Sequence, residues 1–217
     1  VGEESNTIIG YREPSPFLVD KLDLSEVGYW DKVLAKAAAE KNDAKTRNAV
    51  NMLLHYDDPG EGGFYDDLGW PADSKHLTHG EALWGFMPFA GPAKQSQYNL
   101  AYAMDAKQGV SFAYDGLDPA AQYVVRITAG GNRDEGEPAY KDLKLAEGIT
   151  ANGIVVSDGF PVPMNEAAMF EFDIPQEATK SGKVEIALKS TSEGLPITAA
   201  SEIWLMRKDS MPWTIRP

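Results

Sequence analysis

"FEFDIPQEATKSGKVEIALK", residues 170–189, contains two short runs in which every second residue is apolar. Phe170, Phe172 and Ile174 alternate with Glu171 and Asp173, and Val184, Ile186 and Leu188 repeat the spacing in "KVEIALK". A period of two places the apolar side chains on one face of an extended chain and the charged ones on the other, as in a strand with one wet face. The same pattern continues in both directions. Upstream, Val110, Phe112 and Tyr114 alternate ahead of the turn "DGLDP" (115–119), and "QYVVRIT" (122–128) follows with β-branched and aromatic residues; downstream, "SEIWLMR" (201–207) closes the set. Such runs, separated by Gly, Pro and Asp turns, predict a mainly β fold: an antiparallel β-sandwich or jelly roll of about eight strands.

Toward the N-terminus the period becomes helical. Val27, Trp30, Val33, Leu34, Ala37 and Ala38 recur at helical spacing, with Ser25 placed to cap the segment. Asn42 or Asp43 can cap a second helix, in which Val50, Leu53 and Leu54 share a face, and Pro59 requires that helix to stop. Pro14 and Pro16 in "YREPSPFLVDKLDL" (11–24) favour an extended arm. The expected organisation is an N-terminal arm and short helical hairpin over 1–56, then an acidic loop plus β-sandwich domain over 57–217. The tail "DSMPWTIRP" (209–217) is expected over the sandwich edge or against a neighbour.

Composition narrows the classes of partner. The 217 residues carry 20 Lys and Arg against 33 Asp and Glu, a net charge of −13. Such a surface repels phosphate backbones and anionic headgroups, which argues against nucleic acid and membrane surfaces. The absence of cysteine rules out disulfides, thiolate zinc sites and a cysteine nucleophile. No apolar run approaches the ~20 residues of a membrane helix, and the start "VGEESNTIIG" suggests a processed or excised piece.

Between hairpin and sandwich lies "DDPGEGGFYDDLG" (57–69), with five carboxylates, Asp57, Asp58, Glu61, Asp66 and Asp67. Calcium takes about six to eight hard oxygens, and glycines let backbone carbonyls turn inward, so Asp57, Asp58, Asp66 and Asp67 are the candidate ligands of a structural calcium. The spacing is not that of an EF-hand, and Asp and Gly also make ordinary tight turns. The same carboxylates could form an acid and base pair for glycoside chemistry, which needs separations of about 5 Å or about 6.5–9.5 Å. His76 and His79 in "SKHLTHGE" (74–81) would share one side of a helical turn and, with Glu81, sketch a transition-metal site; the simpler expectation is histidines satisfied by backbone hydrogen bonds in a loop. No G-x-S-x-G elbow or phosphate-binding loop occurs, and "AGGNRDEGE" (129–137) reads as a connection between strands.

Aromatic residues gather next to the acidic stretch: Tyr65, Trp70, Trp84, Phe86 and Phe89, the last three in the irregular insertion "LWGFMPFAGP" (83–92). A flat ring offers an apolar face to a sugar while nearby polar groups bond its hydroxyls. Tyr65, Trp70, His76, His79, Glu81 and Trp84 are therefore the candidate glycan-contacting residues. Trp30 and Trp204, inside regular periodic segments, are expected in the core.

Three stretches, "DDPGEGGFYDDLG", "GLDPAAQYVVRITAGG" (116–131) and the closing "FEFDIPQEAT…SGKVEIAL…ASEIWLMR", together resemble the C-terminal β-sandwich module of large bacterial carbohydrate-active proteins that carry a GGFYDDLG loop. The sandwich portion is also similar to galactose-binding-like and malectin-like modules, and the likeness spans about residues 45–207. The resemblance implies a secreted or periplasmic, noncatalytic accessory module that binds a glycan or docks onto the catalytic domain of a polysaccharide-degrading enzyme. The alternative is a fragment or subunit of a glycoside hydrolase or polysaccharide lyase that contributes acidic loop residues to an active site.

Overall fold

The structure, a computed structural model, describes residues 30–68, 75–84, 99–103, 109–130, 144–163, 168–192 and 198–215, with the backbone alone for 81–84, 99–103 and 198–199. The arm over 11–24, Ser25 and Val27 lie outside these residues. Helix α1 covers 30–39, and α2 covers Asp43–Leu54. Asn42 caps α2 by accepting from the amides of Ala44 and Lys45 at 3.0 and 3.2 Å, and Asp43 puts negative charge in its first turn, where the helix dipole favours it.

Among the described residues twelve strands follow: β1 (Phe64–Asp67), β2 (Leu77–His79), β3 (Glu81–Trp84), β4 (Asn99–Ala103), β5 (Val110–Asp115), β6 (Tyr123–Ala129), β7 (Leu145–Ala151), β8 (Ile154–Val162), β9 (Ala168–Ile174), β10 (Lys183–Ser190), β11 (Thr198–Ala200) and β12 (Glu202–Arg207). One helical turn, α3 (Gln176–Thr179), separates β9 from β10. Among the described residues every ladder is antiparallel, forming sheets in the orders β1-β12-β6-β9, β2-β5-β10-β7-β8 and β11-β4-β3.

The first two sheets make the sandwich. Val110, Phe112 and Tyr114 of β5 and Val184, Ile186 and Leu188 of β10 meet Val125 and Ile127 of β6 and Ile203 and Leu205 of β12 in one buried core. Phe170 and Phe172 pack against the same core, and both rings lie beside Phe160 of β8. The alternation in 170–189 thus predicts the inward faces correctly. Burying each such side chain is worth about 1.5–3 kcal/mol. Asn152 and Gly153, both at positive φ, close the hairpin between β7 and β8, an Asn-Gly pair that suits the twist of the flanking strands.

A second core lies on the outer face of the four-stranded sheet. Trp204 and Met206 of β12 and Val124 of β6 are buried there with Tyr56 and Trp213, and Trp30, Met52, Tyr65, Met169, Met211 and Ile215 pack around them. Trp30 and Trp204 are core residues, as expected. The tail lies across this face rather than over an edge. Trp213 stacks on Tyr56 at 5.7 Å, and its indole N–H donates to the His55 carbonyl at 2.8 Å.

Arg126 of β6 reaches the same layer and is fully buried. Its Nε and Nη2 donate to Glu171 at 3.0 and 2.8 Å, Nη2 also donates to the Trp213 carbonyl at 2.9 Å, and the guanidinium carbon sits 3.6 Å from the centre of the Trp213 ring. A charge so far from water is tolerable only with its carboxylate partner and aromatic cover in place.

The expected apolar face of α2 needs correction. Val50, Leu53 and Leu54 are 39, 38 and 67% exposed. The helix instead turns Asn48, Ala49, Asn51 and Met52 toward the tail and sheet: Asn48 donates to the Thr214 carbonyl at 2.8 Å and accepts from the Thr214 amide at 2.9 Å, and Asn51 donates to the Pro212 carbonyl at 3.2 Å. An extended tail presents backbone groups that need partners, and two asparagines satisfy them where leucines cannot. Trp213→Ala should therefore cost about 3–5 kcal/mol, whereas Leu54→Gln should stay within about 0.5 kcal/mol of the parent, both read from urea unfolding followed by tryptophan fluorescence.

Candidate functional site

The acidic stretch divides into a turn and a strand. In the turn, Asp58 accepts from the Gly60 amide at 2.9 Å, the Gly63 amide donates to Gly60 at 3.1 Å, and the Ser210 hydroxyl donates to the Glu61 carbonyl at 3.0 Å. Gly60 is required: its φ is +76°, and a Cβ there would lie 2.2 Å from the Ser210 carbonyl oxygen. The glycines press this turn against the connection that follows β12, and Asp57 and Asp58 remain exposed on it.

From Phe64 onward the chain is strand β1, at the edge of its sheet, and its side chains alternate between the two cores. Phe64, Asp66 and Leu68 point between the sheets; Tyr65 and Asp67 point to the outer face. The expected acidic loop is here a strand, and Asp66 is buried in it. Its carboxyl group lies 2.8 and 2.9 Å from His76 Nδ1 and accepts from the Tyr114 hydroxyl at 3.0 Å. Asp66 thereby joins the edge of one sheet to β5 of the other. Burial, with Asp66 alongside, pushes the Tyr114 hydroxyl well above the usual tyrosine range, so it stays a donor.

His76 lies in the turn that leads into β2 and His79 ends that strand, with a register irregularity between Leu77 and His79, so the two do not stand on one helical turn. His76 is satisfied by a side chain, Asp66, while its carbonyl accepts from the Ala113 amide at 2.9 Å. His79, the last residue of β2, is exposed. Gly80, at φ +119°, turns the chain out of the five-stranded sheet into β3, whose backbone pairs with β4 as Glu81 with Tyr102 and Trp84 with Asn99. At the opposite side of the small sheet, β11 runs through Ser201 into β12. The β11-β4-β3 sheet is thus joined to the sandwich through Gly80 on one side and Ser201 on the other. Trp70, Phe86 and Phe89 lie outside the described residues.

On the outer face, Glu202 is a buried carboxyl that the sequence reading did not single out. Tyr56 and Tyr65 donate to its two oxygens at 2.8 and 2.9 Å. Burial pushes its pKa up to about 7, and Asp67, its cross-strand neighbour, adds to the rise. The Tyr65 hydroxyl is pushed up in turn, by burial and then by Glu202. The signal available in advance was "SEIWLMR", where an acid interrupts a run with no regular polar face.

Among the described residues no three His, Asp or Glu side chains converge as a metal ion would require. Asp66 is turned inside, Asp67 lies across the sheet beside Glu202, and Asp58 is folded onto its own turn.

No family profile matches the sequence, and no curated protein matches it. Solved structures that resemble it include a Bacteroides uniformis β-glucuronidase, at 13% identity and a TM-score of 0.48, covering 67% of this chain and 18% of that one. Another is a family GH115 4-O-methyl-α-glucuronidase with specificity for decorated arabinogalactans, at 10% identity and a TM-score of 0.42, covering 68 and 18%. A third is the ANX1 ectodomain of Arabidopsis thaliana, at 11% identity and a TM-score of 0.47, covering 70 and 49%. The chain thus spans less than half the length of each of these proteins.

Two outcomes follow. A group whose folded pKa lies above its unfolded value contributes stability that is complete below the unfolded pKa and is lost as pH rises through the folded one. Glu202 should therefore lower stability between about pH 4.5 and 7, by on the order of 3 kcal/mol. Glu202→Gln should remove that part of the profile in urea unfolding measured across pH. A calcium held by the acidic stretch should raise the melting midpoint by mass action, so melting with added calcium and with chelator tests for it, and an unchanged midpoint would remove the metal.

Proposed function

We propose that the chain is a noncatalytic accessory module of a larger, exported carbohydrate-active protein, and that it holds a glycan at the rim where β2 passes into β3. The observation that supports this reading is how the polar residues of 57–84 are divided. Asp58 and Asp66 are engaged in holding the scaffold together, while His76, His79, Glu81 and Trp84 succeed one another along an edge strand and the small sheet joined to it through Gly80. Imidazole and carboxylate side chains suit hydrogen bonds to sugar hydroxyls, and an indole suits a flat contact with a pyranose ring. The net charge of −13 suits an uncharged glycan better than a polyanion. No described helix is long and apolar enough to cross a membrane.

Affinity electrophoresis through gels containing a panel of plant and microbial polysaccharides tests the reading. The expected result is retardation by at least one neutral polysaccharide, lost in Trp84→Ala. Retardation that survives in Trp84→Ala would remove the aromatic platform. Release of sugar by the chain, abolished in Asp67→Asn, would replace the accessory role with a catalytic one.

A further inference from the structure

We infer that Asp66 and Tyr114 are positioning residues that fix the orientation and tautomer of His76, so that its Nε2 is the atom offered to an oxygen of the glycan at the rim. This deepens the binding role proposed for the same edge and rests on it. Four observations meet at one ring. Nδ1 is held within 2.8 and 2.9 Å of the two oxygens of Asp66, and a carboxylate only accepts, so Nδ1 carries the proton. Tyr114 anchors the same carboxyl group from the opposite sheet. The edge of Phe64 meets the imidazole at 5.2 Å and 75°, and the Tyr114 ring covers it at 4.6 Å and 33°, which restrains rotation. The Asp66 side chain is 2% exposed and that of His76 28%, so the carboxyl group is sealed while part of the imidazole reaches solvent.

Among the described residues, Nε2 has no hydrogen-bond partner. A histidine needed only to satisfy Asp66 would serve equally well sealed under the rim. Here the ring is braced on one nitrogen and open on the other, the arrangement by which an outer carboxylate sets which nitrogen of a histidine faces a ligand. The open nitrogen accepts from a sugar hydroxyl when the ring is neutral and donates to a sugar oxygen when it is charged. Either mode suits an uncharged, hydroxyl-rich ligand.

Nitrogen-15 NMR of the three histidines, assigned with single His→Gln variants, reads the tautomer without any glycan. The expected result is that the neutral ring of His76 carries its proton on Nδ1, with both tautomers populated in Asp66→Asn. Diethyl pyrocarbonate, which acylates an accessible unprotonated imidazole nitrogen, should modify His76 within about tenfold of the rate at exposed His79. A proton resident on Nε2, or a His76 inert to the reagent in the folded chain, would overturn the proposal, and the parent protein alone suffices for both readings. On the polysaccharide that retards the parent chain, His76→Ala should weaken retardation at least tenfold and His55→Ala should not. Unchanged retardation in His76→Ala overturns the ligand contact even if the tautomer is as expected. A parent chain that no polysaccharide retards removes the glycan reading and the ligand contact together, while the NMR result still reports the positioning by Asp66.

Discussion

The constraint on which the structure depends is that β6 and β12 are buried on both faces. Every residue of β6 is buried, and so are the first five of β12. A sheet covered on one side only would leave Trp204, Met206, Val124 and Arg126 in water. The covering layer is assembled from opposite ends of the described chain: α1, α2 and the turn after α2 supply Trp30, Met52 and Tyr56, and the tail supplies Met211, Trp213 and Ile215. The molecule is therefore a sandwich with a third layer, and the outer layer is as much a core as the inner one. A half-exposed antiparallel sheet alternates; one enclosed on both faces does not.

That enclosure explains where the charged groups went. Arg126 and Glu202 point from the doubly buried strands into the outer core, and each finds hydrogen-bond partners locally, although Arg126 Nη1 has none among the described residues. Arg126 has Glu171, the Trp213 carbonyl and an indole face; Glu202 has two tyrosine hydroxyls. Asp66 solves the equivalent problem between the sheets with His76 and Tyr114. Buried polar groups of this kind contribute little net energy against apolar replacements, but removing one partner is costly, so they favour one arrangement of the layers over others.

What could be read from the sequence follows the same division. Strands with one wet face announced themselves: Val184, Ile186 and Leu188, and Phe170, Phe172 and Ile174, point inward as their spacing indicates. The cap at Asn42 was also legible, because it depends on local chemistry, and on α1 Trp30, Val33, Leu34 and Ala37 are sheltered as their spacing indicates while Ala38 is exposed. "YVVRITA" and "EIWLMR" were recognisable as strands, yet their lack of alternation was the unread sign of a second covering layer. The exposed Val50, Leu53 and Leu54 misled for a related reason: hydrophobic spacing identifies a face but not its occupant, and here the occupant was a backbone that selected Asn48 and Asn51. The acidic stretch was the hardest to read. Composition marks Asp66 as a turn or metal residue, whereas a carboxyl group 10 residues from His76 and 48 from Tyr114 finds its partners only through tertiary structure.

The pairing of Asn48 with Thr214 joins positions 166 residues apart, and Trp213 reaches His55 across 158. Closing loops of that length carries an entropy cost that the contacts must offset. The outer layer therefore forms only when segments on either side of the β domain meet, and the back of the sandwich is sealed by a contact that no neighbouring residues can make.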